Sequence, residues 1–345
     1  MTNELFVLLL LFSCSLMMFW GFRVLPRDGW QMLATLPVRP LANGQWQGLN
    51  LTWYGLLTAN AYLAALSVLI ILLGAAAVPL PGVMLVALLM LALCVPASRL
   101  VARIVEGKSH TFTVGGAVFV GIVAAPWVVL LVSRLTGYQL PIMTTLAAIG
   151  VAYAFGEGLG RLACISFGCC YGKPVSRCTA VTHKIFSRWN FSFCGETRKI
   201  AYASGLEGEP VVPIQALTAM LYCGAGLLGT YLFLEGKPAM TFALMVLVTQ
   251  GWRVLSETLR DDYRGDKSFS VYQVMGMLAI PYALICVFFF PTISGSMRLQ
   301  SGLENIWQPG TLIFLQLIWL VLFTYTGRST VTGANLSFHI HRDRI

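Results

Sequence analysis

About nine apolar runs, each long enough to cross a hydrocarbon core of about 30 Å, alternate along the chain with short breaks of polar, Gly or Pro residues. They begin near Leu5, Tyr54, Pro81, Val114, Ile142, Val212, Met240, Val271 and Pro309. Each run predicts a helix, because a backbone in lipid must satisfy its hydrogen bonds within its own segment. The first run has the length of a signal peptide. Glu4 precedes it in place of a basic segment, however, and no small-residue cleavage pattern follows, so it reads as a retained helix. The expected fold is all-α, a polytopic transmembrane helical bundle. Only the stretch from Ser166 to Val211 is long enough to carry a small extramembrane element, and no internal repeat or low-complexity segment divides the chain.

Composition supports this reading. Hydrophobic residues make up 57% of the 345 and charged residues 11%, with a mean hydropathy of +0.75, far from the balance of a soluble globular domain. The net charge of +9 comes from cations scattered over the loops without interleaved aromatics. That arrangement argues against nucleic acid and for anionic lipid head groups as partners. If the helices alternate in direction, Arg134, Lys237 and Arg298 lie on the side of the N-terminus and the other 20 of 23 Lys and Arg residues lie opposite. Setting aside Arg161, Arg253 and Arg260 as site candidates leaves 17 against 3, and the positive-inside rule places the basic face in the cytoplasm.

Three stretches at helix ends on that face carry the candidate chemistry: Trp53-Tyr54-Gly55-Leu56, Gly160-Arg161 leading into Gly168-Cys169-Cys170-Tyr171-Gly172, and Arg253 with Glu257 and Arg260. Glu157 and Arg161 stand at the i, i+4 spacing that lets them meet on one helical face. They form either a pinning salt bridge or an arginine held ready for a phosphate. Arg253, Glu257 and Arg260, spaced four and three apart, are expected on one stripe of a second helix. Two guanidiniums converging from separate helices would hold a phosphodiester through several donors.

Cys164, Cys169 and Cys170 lie beside Arg161 in a Gly-rich turn and admit several readings. With His183 they make a nominal metal set, but adjacent cysteines lack the spacing of common zinc sites, so no metal is expected. A thiol beside an arginine could act as a nucleophile, or the three could pack as small residues. Cys178 and Cys194 could form a disulfide on an oxidising face, whereas Cys14, Cys94, Cys223 and Cys286 read as packing residues. Gly115 and Gly116 permit close approach of a ligand or helix, and His110 just before them is a candidate base. A membrane thiol oxidoreductase would rest on Cys169-Cys170 alone. No cofactor is indicated.

Taken together and in order, these stretches resemble the prolipoprotein diacylglyceryl transferase family from about Trp53 to Pro281. Trp53-Tyr54-Gly55-Leu56 is similar to its Trp-Tyr-Gly motif, and Gly115-Gly116 to its His-Gly-Gly element. Gly160-Arg161 followed by Gly172 is similar to its arginine-containing signature, and Pro213-x-Gln215 to its Pro-Ser-Gln. Arg253, Glu257 and Arg260 match its Arg-Glu-Arg spacing, and Gln273 and Pro281 fit its last helix. Val114 stands where the family has histidine, Cys164 where it has asparagine and Cys169 where it has glutamate. The resemblance implies a seven-helix core over 53–292 with an extramembrane insertion at 166–211. A further helix is then expected at each end, over 1–52 and 293–345.

The resemblance also implies transfer of diacylglyceryl from phosphatidylglycerol to a lipoprotein cysteine in a bacterial inner membrane, at a site opening to the periplasm, opposite to the charge count. Tyr54, Arg161, Arg253, Glu257, Glu157 and Cys169 are then the expected catalytic set. Gly115, Gly116, Gly160, Cys164, Cys170, Gly172, Gln215 and Arg260 are the expected substrate contacts. Glu257 is expected to hold Arg253. With Val114 in place of histidine, the base would be Glu157, His110 or a cysteine, and the acceptor could differ from a lipoprotein. The alternative is a phospholipid-binding membrane protein derived from the enzyme.

Overall fold

The computed structural model describes residues 1–107, 113–262, 269–292 and 297–345. Its long helices are α1 (Asn3–Val24), α2 (Trp53–Ala75), α3 (Leu80–Glu106), α4 (Val114–Thr136) and α5 (Ile142–Phe167). Two short helices, α6 (Ala180–Phe186) and α7 (Lys199–Ser204), lie in the long loop. They are followed by α8 (Ile214–Leu234), α9 (Pro238–Ser256), α10 (Val271–Phe289), the short α11 (Leu299–Ile306) and α12 (Pro309–Thr326). Among the described residues nine helices are long and apolar enough to cross a membrane, and they coincide with the nine apolar runs.

Helix α5 is the hub, with α1, α2, α4, α8 and α9 all packed on it. Its apolar face of Met143, Leu146, Val151 and Phe155 is fully enclosed, together with Leu72 and Leu73 of α2 and Phe233 of α8. Lipid supplies little hydrophobic force between helices, so association depends on close packing through small residues. A Cβ added at Gly158 would lie 2.7 Å from Cys223 Sγ, which shows how near α8 runs to α5. At the start of α2, a Cβ at Gly55 would lie 2.1 Å from the Gly327 Cα, so the end of α12 sits directly on that turn.

The helix ends sort onto two faces as alternation requires. On the N-terminal face Asn3 Nδ2 donates to Glu235 Oε1 at 3.2 Å, and Arg298 N donates to Ala75 O at 2.8 Å. On the opposite, basic face Thr52 N donates to Gly327 O at 2.9 Å and Cys194 N to Pro26 O at 3.2 Å.

That face also carries an element absent from the sequence reading, an antiparallel sheet of β1 (Met32–Pro40), β2 (Trp46–Thr52) and β3 (Ala334–Leu336) in the order β1-β2-β3. Asn43-Gly44 turns the hairpin, with Gly44 at φ +79°, a conformation glycine adopts without steric cost. The expectation that only 166–211 could carry an extramembrane element is corrected accordingly: Asn-Gly between two strand-forming runs is itself a hairpin signal.

The long loop is fastened by Arg198, whose residue is 1% exposed. Its Nε donates to Cys194 O at 2.6 Å and its Nη1 to Ile165 O and Ser166 O at 3.0 Å each. Its Nη2 reaches Leu25 O at 2.7 Å and also Asp28 O. These acceptors include carbonyls at the C-terminal ends of α1 and α5, of which Ile165 O also accepts from the capping Gly168 N at 3.2 Å, and such helix ends attract a cation through the helix dipole. One guanidinium thereby ties the loop to two spans.

Arg198→Ala is expected to lower the thermal midpoint of the detergent-solubilised protein by several degrees, since each buried acceptor left unpaired costs roughly 1–3 kcal/mol. Arg198→Lys should recover little, because an ammonium cannot reproduce the planar fork; unchanged melting of the alanine variant would show that the loop is held by other contacts. Cys194, exposed on the basic face, reports orientation. The charge distribution predicts that a membrane-impermeant maleimide labels it only after cells are permeabilised, with Cys194→Ser as the blank. Labelling in intact cells would put this face outside.

Candidate active site

Successive turns of α5 present Tyr153, Glu157, Arg161 and Cys164 on one stripe, through spacings of four, four and three. Arg161 Nη2 donates to Glu157 Oε1 in the expected i, i+4 pair. From α9, Arg253 Nη2 lies 3.7 Å from the same carboxylate oxygen and donates to Tyr153 Oη at 3.0 Å. Glu157, Arg161 and Arg253 are 9%, 7% and 8% exposed. Two buried guanidiniums therefore share one carboxylate. The Nε of each is buried without a hydrogen-bond partner. Arg161 lies six residues before the end of α5, roughly 9 Å along the axis.

Both guanidiniums line a narrow polar cavity of about 10 Å³ between α5, α8 and α9. From α8 its wall includes Thr218 and Tyr222, and from α9 Trp252 and Ser256. The wall is itself fixed: Tyr222 Oη donates to Thr249 O at 2.6 Å and Trp252 Nε1 to Thr218 Oγ1 at 2.9 Å. Glu257 and Arg260 complete it, though not from the helical stripe expected of them. The α-helix ends at Ser256, a 3-10 turn spans Glu257–Leu259, and Arg260 is extended at φ −89°, ψ 153°. The cause is tertiary: Arg260 forms an antiparallel bridge with Gly172, and Lys173 N donates to Leu259 O at 2.9 Å.

Glu257 is also reassigned as an ion-pair partner. It lies 3.8 Å from Arg260 Nη1, whereas the salt-bridge partner of Arg253 is Glu157. Asp262 holds Arg260 bidentately at 2.7 Å through each oxygen. Charge is thus divided unevenly, with two cations and one anion around Glu157 and one cation and two anions around Arg260.

The cysteine turn begins where Gly168, at φ +67°, caps α5 and Cys169 N donates back to Cys164 O at 3.1 Å. Cys170 follows at φ +57°, in the left-handed region that non-glycine residues seldom occupy. Gln215 Nε2 holds the turn by donating to Cys169 O at 2.8 Å. This backbone path gathers three sulfurs, with Cys164, Cys169 and Cys170 Sγ all within 4.8 Å of one another. Arg161 Nη1 lies 4.0 Å from Cys164 Sγ, linking the thiols to the guanidinium pair. Hydrogen bonds from Cys164 and Cys169 hold the Cys170 thiol well below its ordinary range against the cost of burial, with Arg260 and Arg161 acting in the same direction.

The expected site residues fall into two adjoining groups. Arg161, Arg253, Glu257 and Arg260 line the cavity with Glu157 behind them. Tyr54 belongs to the thiol side: its ring packs on Phe167 with centroids 5.6 Å apart, within electrostatic reach of Cys169, Cys164 and Cys170. Gln215 and Gly172 position the turn, and a Cβ at Gly172 would meet Val212 O at 2.4 Å. Gly115 makes room for Arg253 and Tyr272, since its Cβ would lie 3.1 Å from Arg253 Nη1 and 2.5 Å from the Tyr272 ring. Gly116 faces Val101, and Gly160 faces Ala61 of α2.

His110 lies outside the described residues. His183 is exposed on α6, apart from the thiols. Cys178 and Cys194 are both free rather than bridged. Tyr153, Tyr222 and Trp252 were not anticipated. Of these only Tyr153 carried a signal, its spacing of four from Glu157.

Residues 44–290 match the prolipoprotein diacylglyceryl transferase family. The match spans α2–α10 and every residue of the two groups above, while α1, α11 and α12 lie outside it. No curated protein matches the chain. With this match over more than half of its length, the chain, a multi-pass membrane protein by its apolar helices, belongs to the prolipoprotein diacylglyceryl transferase family, whose members act as diacylglyceryl transferases in lipoprotein maturation.

Proposed function

We propose that this protein transfers a diacylglyceryl group from phosphatidylglycerol to an acceptor thiol, that of a lipoprotein cysteine in the first instance, in a bacterial inner membrane. The observation that carries the reading is the pair of buried guanidiniums, Arg161 and Arg253, sharing Glu157 with both Nε atoms unpaired. A buried donor left without a partner is costly, and a phosphodiester supplies acceptors for both N–H groups together with a negative charge.

The chemistry follows from the charge. The acceptor thiol gives up its proton to solvent and its sulfur attacks the glycerol carbon of the diacylglyceryl group; a C–S bond forms, and the C–O bond of the C–O–P linkage breaks with its electron pair passing to the phosphate oxygen. The diester monoanion becomes a glycerol phosphate with a second ionisable oxygen. Arg161 and Arg253 therefore gain interaction as the bond breaks, which is what accelerates a reaction. Glu157 is a positioning residue, occupied in holding two guanidiniums and unsuited to removing the thiol proton. Tyr54, beside the thiols, stands where it can donate to the acceptor side.

The test follows acyl-labelled phosphatidylglycerol in reconstituted protein with a lipobox peptide. Arg161→Ala and Arg253→Ala are each expected to lower kcat by about 10²–10³-fold, the loss typical of one donor on developing charge. Lysine should restore little at either position. Full turnover in both alanine variants would sink the mechanism, and tight lipid binding with no turnover by the wild type would make the protein a phospholipid-binding relative. Glu157→Gln should reduce kcat more than Glu257→Gln, with KM little altered, because only Glu157 holds both guanidiniums; the reverse order would reassign the orienting carboxylate to Glu257.

A further inference from the structure

The three thiols of Cys164, Cys169 and Cys170 have no role in phosphate binding, yet two left-handed residues and the Gln215 hydrogen bond fold the chain so that their sulfurs converge. Three sulfurs within 4.8 Å need shift by only about 1 Å to stand about 3.8 Å apart, the spacing set by zinc–sulfur bonds of about 2.3 Å in a tetrahedron. Thiolates select thiophilic d¹⁰ cations over magnesium or calcium. Three thiolates around Zn²⁺ carry one net negative charge, and Arg161, whose Nη1 stands 4.0 Å from Cys164 Sγ, is the cation beside them. Among the described residues no His, Asp or Glu completes the set, which is the pattern of three protein ligands with an open fourth position.

We propose that Cys164, Cys169 and Cys170 form a zinc site whose fourth position takes the acceptor thiol. The function of that fourth ligand rests on the transfer reading above. A thiol binding zinc loses its proton to solvent, and the resulting sulfur lone pair is the one that forms the C–S bond while the C–O bond beside Arg161 and Arg253 breaks. This supplies the deprotonation for which the cavity has no histidine among its described lining residues. The sequence reading expected no metal because adjacent cysteines lack a two-residue gap; the left-handed turn at Cys170 brings in all three sulfurs without one.

The experiment uses the full-length reduced protein in lipid, stripped with chelator and reloaded with Zn²⁺ or with Co²⁺ as a spectroscopic probe. Stoichiometric zinc and the intense visible bands of tetrahedral cobalt–thiolate are expected. Cys164→Ser, Cys169→Ser and Cys170→Ser should each weaken binding by more than about tenfold, since even outer-shell changes reach that size, while Cys178→Ser and Cys194→Ser retain the metal. Adding a cysteinyl peptide should shift the cobalt bands. Absence of metal in the wild type, or undiminished zinc in the Cys169→Ser/Cys170→Ser double variant, overturns the site, and cobalt bands unmoved by the peptide overturn its open position. None of these readouts needs lipid turnover, so a zinc-loaded protein that moves no lipid would overturn the transfer reading and leave the metal site standing.

Discussion

The carboxylate of Glu157, shared by Arg161 and Arg253, is the interaction on which the rest of this site depends. Two guanidiniums buried near lipid would repel one another and forfeit their hydration if either stood alone. Placing the carboxylate between them on α5 joins that helix to α9 and leaves one positive charge unmatched within the trio. The small residues around it are consequences of the same demand. Gly115 leaves room for the Tyr272 ring, 2.5 Å from where its Cβ would stand, and for Arg253 Nη1 at 3.1 Å, and Gly158, one residue from Glu157, lets α8 bring Cys223 Sγ within 2.7 Å of where its Cβ would stand.

The second constraint is that the thiol side must be held against the arginine side although the two come from segments far apart in sequence. The bridge of Gly172 with Arg260 does this directly, and in place of a further α-helical turn after Ser256 the chain makes a 3-10 turn over Glu257–Leu259 and an extended Arg260. Arg198 does it from behind, by fastening the loop to the ends of α1 and α5. The loop also has an apolar cluster beneath it, in which Tyr171, Phe191, Phe193, Ile200 and Val211 pack with Leu25, Leu57, Leu162 and Ile165. Hydrogen bonds to backbone, which are directional, then fix the turn on that support.

The nine spans were legible because lipid imposes one simple rule on sequence, length and apolarity, and nothing in the tertiary structure overrides it. The Glu157–Arg161 pair was legible for a related reason, being local to one helix. Features that depend on contacts between distant segments were not. Spacing alone put Arg260 on the stripe of Arg253, and Gly172 pulled it off. Spacing also paired Glu257 with Arg253, whereas the fold brings Glu157 to Arg253 across two helices. The convergence of Cys164 with Cys169 and Cys170 depends on the left-handed conformation of Cys170, for which the sequence offers no glycine as a sign. The β1–β2 hairpin has a different cause: Asn43-Gly44 marks its turn, but β1 is mostly exposed and carries no buried alternation that would mark it as a strand.

The uneven division of charge bears on how such a site would turn over on the proposed reading. The surplus is one positive charge in the trio of Glu157, Arg161 and Arg253 and one negative charge around Arg260, so the two groups balance before substrate binds and differ in where the attraction for a phosphate lies. Arg260, the third guanidinium, is already held by Glu257 and Asp262. Left free, it would add attraction for substrate and product alike, and binding that is equal in all states lowers KM without raising kcat. Its two carboxylates therefore confine the useful charge to the two arginines whose Nε atoms are unpaired, where attraction grows as the phosphate takes up negative charge. They also keep the dianionic product from meeting a third cation, so that the interaction that assists bond breaking does not by itself retain the leaving group.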